Sequence, residues 1–258
     1  MSQNETNSQP AHSRPWPFGA RALLAFFLPV LGAAIVGVFI GSFLADATGR
    51  QYALAPVMAA TGLISWFLGL RWYGLAGLGL RGRRPFFAGI GFAVLGWVAF
   101  LLFRFAFVLI RGFGPAGSGQ AFVYLLLFEA LAVQLWTFGL LFRSLADWRG
   151  PMTAAIGSGI IFGTAAALLF QESFISSPSS YLYFILWGVL YGIIRLRTGS
   201  LLGTAVVQAL HSFTAWVVMA PQPELAAGQL QSLYLAAGVA YLVIIWRLWP
   251  KREKDYRV

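Results

Sequence analysis

The chain has 258 residues, no cysteine, a formal net charge of +10 and a mean hydropathy of +0.75, with 59% hydrophobic and only 10% charged residues. Soluble domains carry about 25% charged residues, so a water-soluble globule is excluded, and the absence of cysteine excludes disulfides, thiolate metal sites and a cysteine nucleophile. The only histidines are His12, in a polar tail, and His211, so a two-histidine metal centre in one chain is not expected, and no cofactor is implied. The bases lie in short turns beside apolar runs, the pattern that orients a membrane protein, and not in the continuous basic face of a nucleic-acid binder.

Residues 1–19 are polar and read as a disordered tail. Asn4-Glu5-Thr6 matches a glycosylation acceptor, but the topology derived below places it in the cytoplasm. Pro15-Trp16-Pro17-Phe18 reads as an interfacial anchor. A first span, Arg21–Ala45, is too long for a signal-peptide core and lacks a cleavage site, so it is expected to stay uncleaved. The second span is Ala53–Leu70, with Pro56 near its start. The glycine-rich basic segment Arg71 to Pro85 is expected to lie along the inner surface.

The third span, Phe86–Ile110, carries Arg104, and the fourth, Gln120–Phe142, carries Glu129 and Gln134. A glycine-rich turn, Arg111 to Gly119, separates them. Arg143 to Pro151 is a basic turn before the fifth span, Met152–Phe170. Gln171 to Ser180 is a polar turn holding Glu172. The sixth span, Tyr181–Ile194, is short. A basic turn, Arg195 to Ser200, leads into the seventh, Ser200–Ala220, and the eighth is Leu230–Leu248. A basic tail, Pro250 to Val258, closes the chain.

The fold class expected is therefore all-α, a polytopic transmembrane bundle of about eight spans in a single domain over residues 20–249. The bases test that count. Arg14, Arg21, Arg71, Arg81, Arg83, Arg84, Arg143, Arg149, Arg195, Arg197, Arg247, Lys251, Arg252, Lys254 and Arg257 all fall on one side, and only Arg50 and Arg111 on the other. The positive-inside rule then puts both termini in the cytoplasm. No pair of matched broken segments of the transporter kind is present.

Polar residues inside spans mark candidate sites, because a buried ionisable group in an apolar helix is costly. Glu129 is the only acid within a predicted span, and His211 lies near the middle of the seventh. The two share a depth and meet if their helices are neighbours. Arg104 can reach toward Glu129 with its long side chain. The plainer reading of Glu129 is interhelical glue; a catalytic or proton-handling role is the sharper one. Gln134 and Gln208, the latter one turn before His211, read as supporting polar groups. Trp136, Trp187 and Trp216 read as packing or interface residues, and the glycines as places of close helix approach.

Three stretches carry a family resemblance. Gln134 to Phe142 is QLWTFGLLF, Ile160 to Ala166 is IIFGTAA, and Arg197 to Ala215 is RTGSLLGTAVVQALHSFTA. Together with the approach segment Trp72 to Pro85, they make the chain resemble the CAAX-protease and bacteriocin-processing (Abi) family of intramembrane glutamate proteases, over spans two to seven with a core at about residues 120–220. The resemblance implies a helical membrane endopeptidase in which paired glutamates activate water and histidines orient it or stabilise the oxyanion. Carried across, the glutamates fall on Val133 and Gln134, the arginine on Phe138 ahead of a retained Gly139, the first histidine on Ala166, the second on His211, and the asparagine on Ala215. Only His211 keeps the family's polar residue.

Peptide hydrolysis needs a base to generate the nucleophile, and neither Val133 nor Gln134 supplies one. Glu129 is one turn before Val133, about 5 Å along the axis. Three functions follow. The first is a catalytically degenerate relative that binds a membrane peptide, a lipid or a partner protein within the bilayer. The second is an active protease with a rearranged Glu129/His211 site. The third is a lipid- or pigment-binding subunit of a larger complex. A bacterial inner membrane is the expected location.

Overall fold

The computed structural model describes residues 17–43, 54–81, 88–107, 118–169, 178–214 and 227–257. The N-terminal tail with Asn4, His12 and Trp16, most of the Arg111 turn, the Glu172 turn, and Ala215 with Trp216 lie outside the described residues.

Eight helices follow one another, with no strand among the described residues: α1 Phe18–Phe43, α2 Leu54–Gly77, α3 Ile90–Phe107, α4 over 118–149, α5 Pro151–Leu169, α6 Pro178–Thr198, α7 Leu202–Ser212 and α8 Ala227–Leu248. Each predicted span has a helix. Six of them, α1, α3, α4, α5, α6 and α8, are long and apolar enough to cross a membrane by length and composition.

Glycine and proline set the breaks. Gly74 takes φ 65° inside α2 and kinks it. Gly150, at φ 91°, ends α4, and Pro151 opens α5, the usual order of glycine after one helix and proline at the first position of the next. Gly199, at φ 72°, closes α6, its N–H bonded to the Arg195 carbonyl at 2.9 Å.

The sixth helix therefore runs four residues past the predicted end at Ile194. This corrects the basic-turn reading of Arg195, which is 1% exposed within α6 rather than in a loop. Arg21 is likewise buried, near the start of α1. The tail after α8 is ordered too: the Arg257 N–H bonds to the Leu196 carbonyl at 2.8 Å, and Arg197 Nη1 to the Leu248 carbonyl at 3.2 Å.

Helix α6 is the axis of the bundle, with thirteen of its residues buried. Its tightest neighbour is α5. Ala155, Gly159 and Gly163 repeat every four residues along α5, and Gly188 and Gly192 along α6, so small residues line both facing stripes. A Cβ on Gly163 would lie 2.5 Å from the Phe184 carbonyl and one on Gly159 2.7 Å from the Val189 nitrogen; those on Gly188 and Gly192 would collide with the Gly159 and Ala155 carbonyls. Without water to drive apolar association inside a bilayer, such backbone approach supplies the van der Waals packing that holds helices together.

The outer surface is apolar. Ile35, Val38, Phe67 and Trp246 are each more than two-thirds exposed, and α1 is apolar on every face. Scattered exposed apolar residues are ordinary, but an apolar belt of this extent marks a surface made for lipid. Gly188→Val is expected to lower stability by about 1–3 kcal/mol through overpacking, read by thermal unfolding in detergent. Gly228→Ala, where an added Cβ meets nothing within 4 Å, should leave the midpoint unchanged.

Candidate functional site

The site is built from α4 and α7, with α3 and α6 behind. Helix α4 is not wound uniformly. It is π-helical over Leu125–Leu131 and again over Leu135–Leu141, with a three-residue α turn, Ala132–Gln134, between. Bonding from i to i+5 adds a residue to each turn, so residues five apart come closer to one face than α winding allows. Glu129 and Gln134 are five apart, and both turn toward α7.

On α7, Thr204, Gln208 and Ser212 recur every four residues and form one polar stripe. Ser212 Oγ donates to Glu129 Oε1 at 2.5 Å. Gln134 Nε2 donates to Gln208 Oε1 at 2.9 Å, and the Thr204 hydroxyl lies 3.0 Å from Gln134 Oε1 and 2.8 Å from the Leu201 carbonyl. All five side chains are buried; Gln134 and Ser212 have no exposed surface. Isolated buried polar groups in such surroundings would each cost free energy, whereas paired ones fix the register of α7 on α4.

His211 precedes Ser212, and a step of one residue turns about 100° around a helix. Its imidazole therefore leaves the polar stripe and faces α3 and α6. It sits between the Phe100 ring, centroids 4.3 Å apart, and the Trp187 indole, also 4.3 Å and nearly parallel at 22°. Nε2 lies 3.3 Å from the Tyr183 hydroxyl, itself 3.4 Å from that of Tyr241. Nδ1 has no hydrogen-bond partner among the described residues. Glu129 thus bonds the α7 residue next to His211, while the His211 imidazole leaves the helix on a different face. Arg104 is buried on α3, its guanidinium 6.0 Å from the Phe100 ring that covers His211.

The positions carried over from the resemblance are packed. Val133 and Ala166 are buried in the apolar core. The Phe138 ring has no exposed surface and rests on Phe162 and Tyr191, at 5.3 and 6.4 Å between centroids. Gly139 lies under Leu78, where an added Cβ would come within 3.2 Å of Leu78 Cδ2. Trp187 packs in the core against Phe162, and Trp136 is buried 5.9 Å from Phe26.

Four residues escaped the sequence reading. Thr204 and Ser212 had a signal, their four-residue spacing with Gln208. Tyr183 and Arg195 had none, because Tyr183 meets His211 across 28 positions of chain, and Arg195 looked like a loop base. Inside the fold, Arg195 Nε donates to the Phe138 carbonyl at 3.0 Å and Nη2 to the Gly77 carbonyl at 2.9 Å. The π winding explains the first bond: the Phe142 N–H turns to the Thr137 and Gly139 carbonyls and bypasses that of Phe138.

A helical bundle with an apolar belt and a buried polar seam defines an integral membrane protein. Residues 115–214, which contain α4 to α7, match the family model described as Rce1-like, type II CAAX prenyl endopeptidase Rce1-like, so the chain carries an Rce1-like domain there. No curated protein and no solved structure matches the chain.

Gln134→Leu and Gln208→Leu should each lower stability by about 1–3 kcal/mol, because each strands the partner amide. The double variant should lose less than the sum, with a coupling of about 1 kcal/mol. Unfolding in detergent measures all three, and strictly additive losses would show that the amides do not pair.

Proposed function

We propose that this chain is a catalytically degenerate Rce1-like membrane protein, which retains the bundle and uses it to bind a membrane peptide, a lipid or a protein partner. The observation that carries the reading is the state of Gln134. It stands where the resemblance calls for a water-activating glutamate, an amide is no general base at neutral pH, and its polar atoms are engaged by Gln208 and Thr204. The apolar packing of Val133, Phe138 and Ala166 supports the same reading. Purified protein in a bilayer is expected to leave prenylated peptides uncleaved. Turnover that Glu129→Gln abolishes would overturn the proposal.

One observation favours a second reading, an endopeptidase with a rearranged site. The Glu129 carboxylate bonds Ser212, the residue next to His211, and the imidazole keeps one nitrogen without a partner among the described residues. In that case His211→Ala should remove turnover without lowering expression. A fully active His211→Ala protein would dispose of it.

The proposed location is the bacterial inner membrane with both termini in the cytoplasm, supported by the bases gathered on one side of the spans. The lack of native cysteine makes a clean test available. In intact cells a membrane-impermeant maleimide should label Gly119→Cys and spare Lys251→Cys, which reacts only after permeabilisation. The reverse pattern would invert the topology.

A further inference from the structure

The ordered C-terminal segment builds a feature that neither the bundle nor the polar seam requires. Arg197 from the end of α6, Arg247 from the end of α8, and Lys251, Arg252 and Lys254 from the segment beyond converge on one cavity of about 390 Å³, with Trp249 on its wall. Asp255 is the one acid lining it, and its Oδ2 already accepts the Arg252 N–H at 3.2 Å.

The two helix C-termini account for Arg197 and Arg247, since cations are favourable beside the carbonyl end of a helix. They do not account for the other three. Those are brought in because the chain folds back: Arg257 bonds to Leu196, Arg197 bonds to Leu248, and a 3-10 turn, Glu253–Asp255, shapes the intervening segment. A free basic tail would spread its charges apart. This one holds five cations around a shared space at a cost in mutual repulsion that an anion there would relieve.

Position identifies the anion. The cup lies where α6 and α8, both long and apolar enough to cross a membrane, come to an end. Trp246, with Arg247 5.6 Å from its ring, and Trp249 are exposed beside it, and tryptophan concentrates at the level of the headgroups. Basic pockets at that depth hold lipid phosphates. We infer that this cup binds the phosphate of an anionic phospholipid headgroup.

The test uses the full chain, extracted from vesicles of phosphatidylglycerol and phosphatidylcholine in equal amounts and weighed intact with its retained lipid by native mass spectrometry. Phosphatidylglycerol should be retained over phosphatidylcholine by about tenfold. The variant R247Q/K251Q/R252Q/K254Q should lose that preference. The single change Lys254→Glu, on the exposed turn, should reduce it about threefold and serves if the fourfold variant does not fold. R71Q/R81Q, which removes two exposed bases outside the cup, should keep it. Equal retention of the two lipids, an unchanged preference in Lys254→Glu, or an equal loss in R71Q/R81Q would overturn the inference. So would displacement of the lipid by millimolar inorganic phosphate, which would make a soluble anion the occupant.

Discussion

The guanidinium of Arg195 is the fastening on which the rest of the bundle depends. It is buried, and its two hydrogen bonds reach carbonyls from different parts of the chain: Phe138 in the π-wound stretch of α4 and Gly77 at the end of α2. Hydrogen bonds from a charged donor contribute about 1.5–3 kcal/mol each, and a planar fork holds two acceptors in fixed directions as an ammonium group does not. The bond to Phe138 exists because π winding leaves that carbonyl bypassed by the Phe142 N–H. The same region is locked from the other side, where Gly79, at φ 79°, leaves room for the Arg195 side chain and its carbonyl accepts the Leu201 N–H at 3.2 Å. One side chain thus joins α2, α4 and α6 and sets the entry into α7.

From that fixed entry, α7 presents two chemically different faces. The Thr204, Gln208 and Ser212 stripe meets Gln134 and Glu129 on α4, and the irregular winding of α4 is what brings residues five apart into line with it. The His211 face enters an aromatic cage of Phe100, Trp187 and Tyr183. Ser212 holds the Glu129 carboxylate on one side of α7, and the His211 imidazole packs against Phe100 of α3 and Trp187 of α6 on another. The glycine-mediated contact of α5 with α6 supports this arrangement by bringing Phe162 and Trp187 close enough to pack at 5.4 Å.

Much of the architecture was legible in the linear chain. Apolar runs of spanning length, bounded by arginine, glycine and proline, predicted eight helices, and the many glycines among them predicted close helix approach. The Rce1-like match over residues 115–214 agrees with the resemblance read from the segments around Gln134, Phe162 and His211. Arg195 was misread because a base next to Arg197 and Thr198-Gly199 looks the same whether it ends a helix in solvent or turns inward to bond two carbonyls.

Hydropathy and local spacing are properties of neighbouring residues, so the sequence by itself determined the helices, their number and the residues fit to carry polar chemistry. Partners were decided only by tertiary structure. Glu129 with Ser212, Gln134 with Gln208, and His211 with Tyr183 are separated by 83, 74 and 28 positions. The winding that aligns them departs from 3.6 residues per turn, and no α-helical periodicity applied to the chain can express that departure.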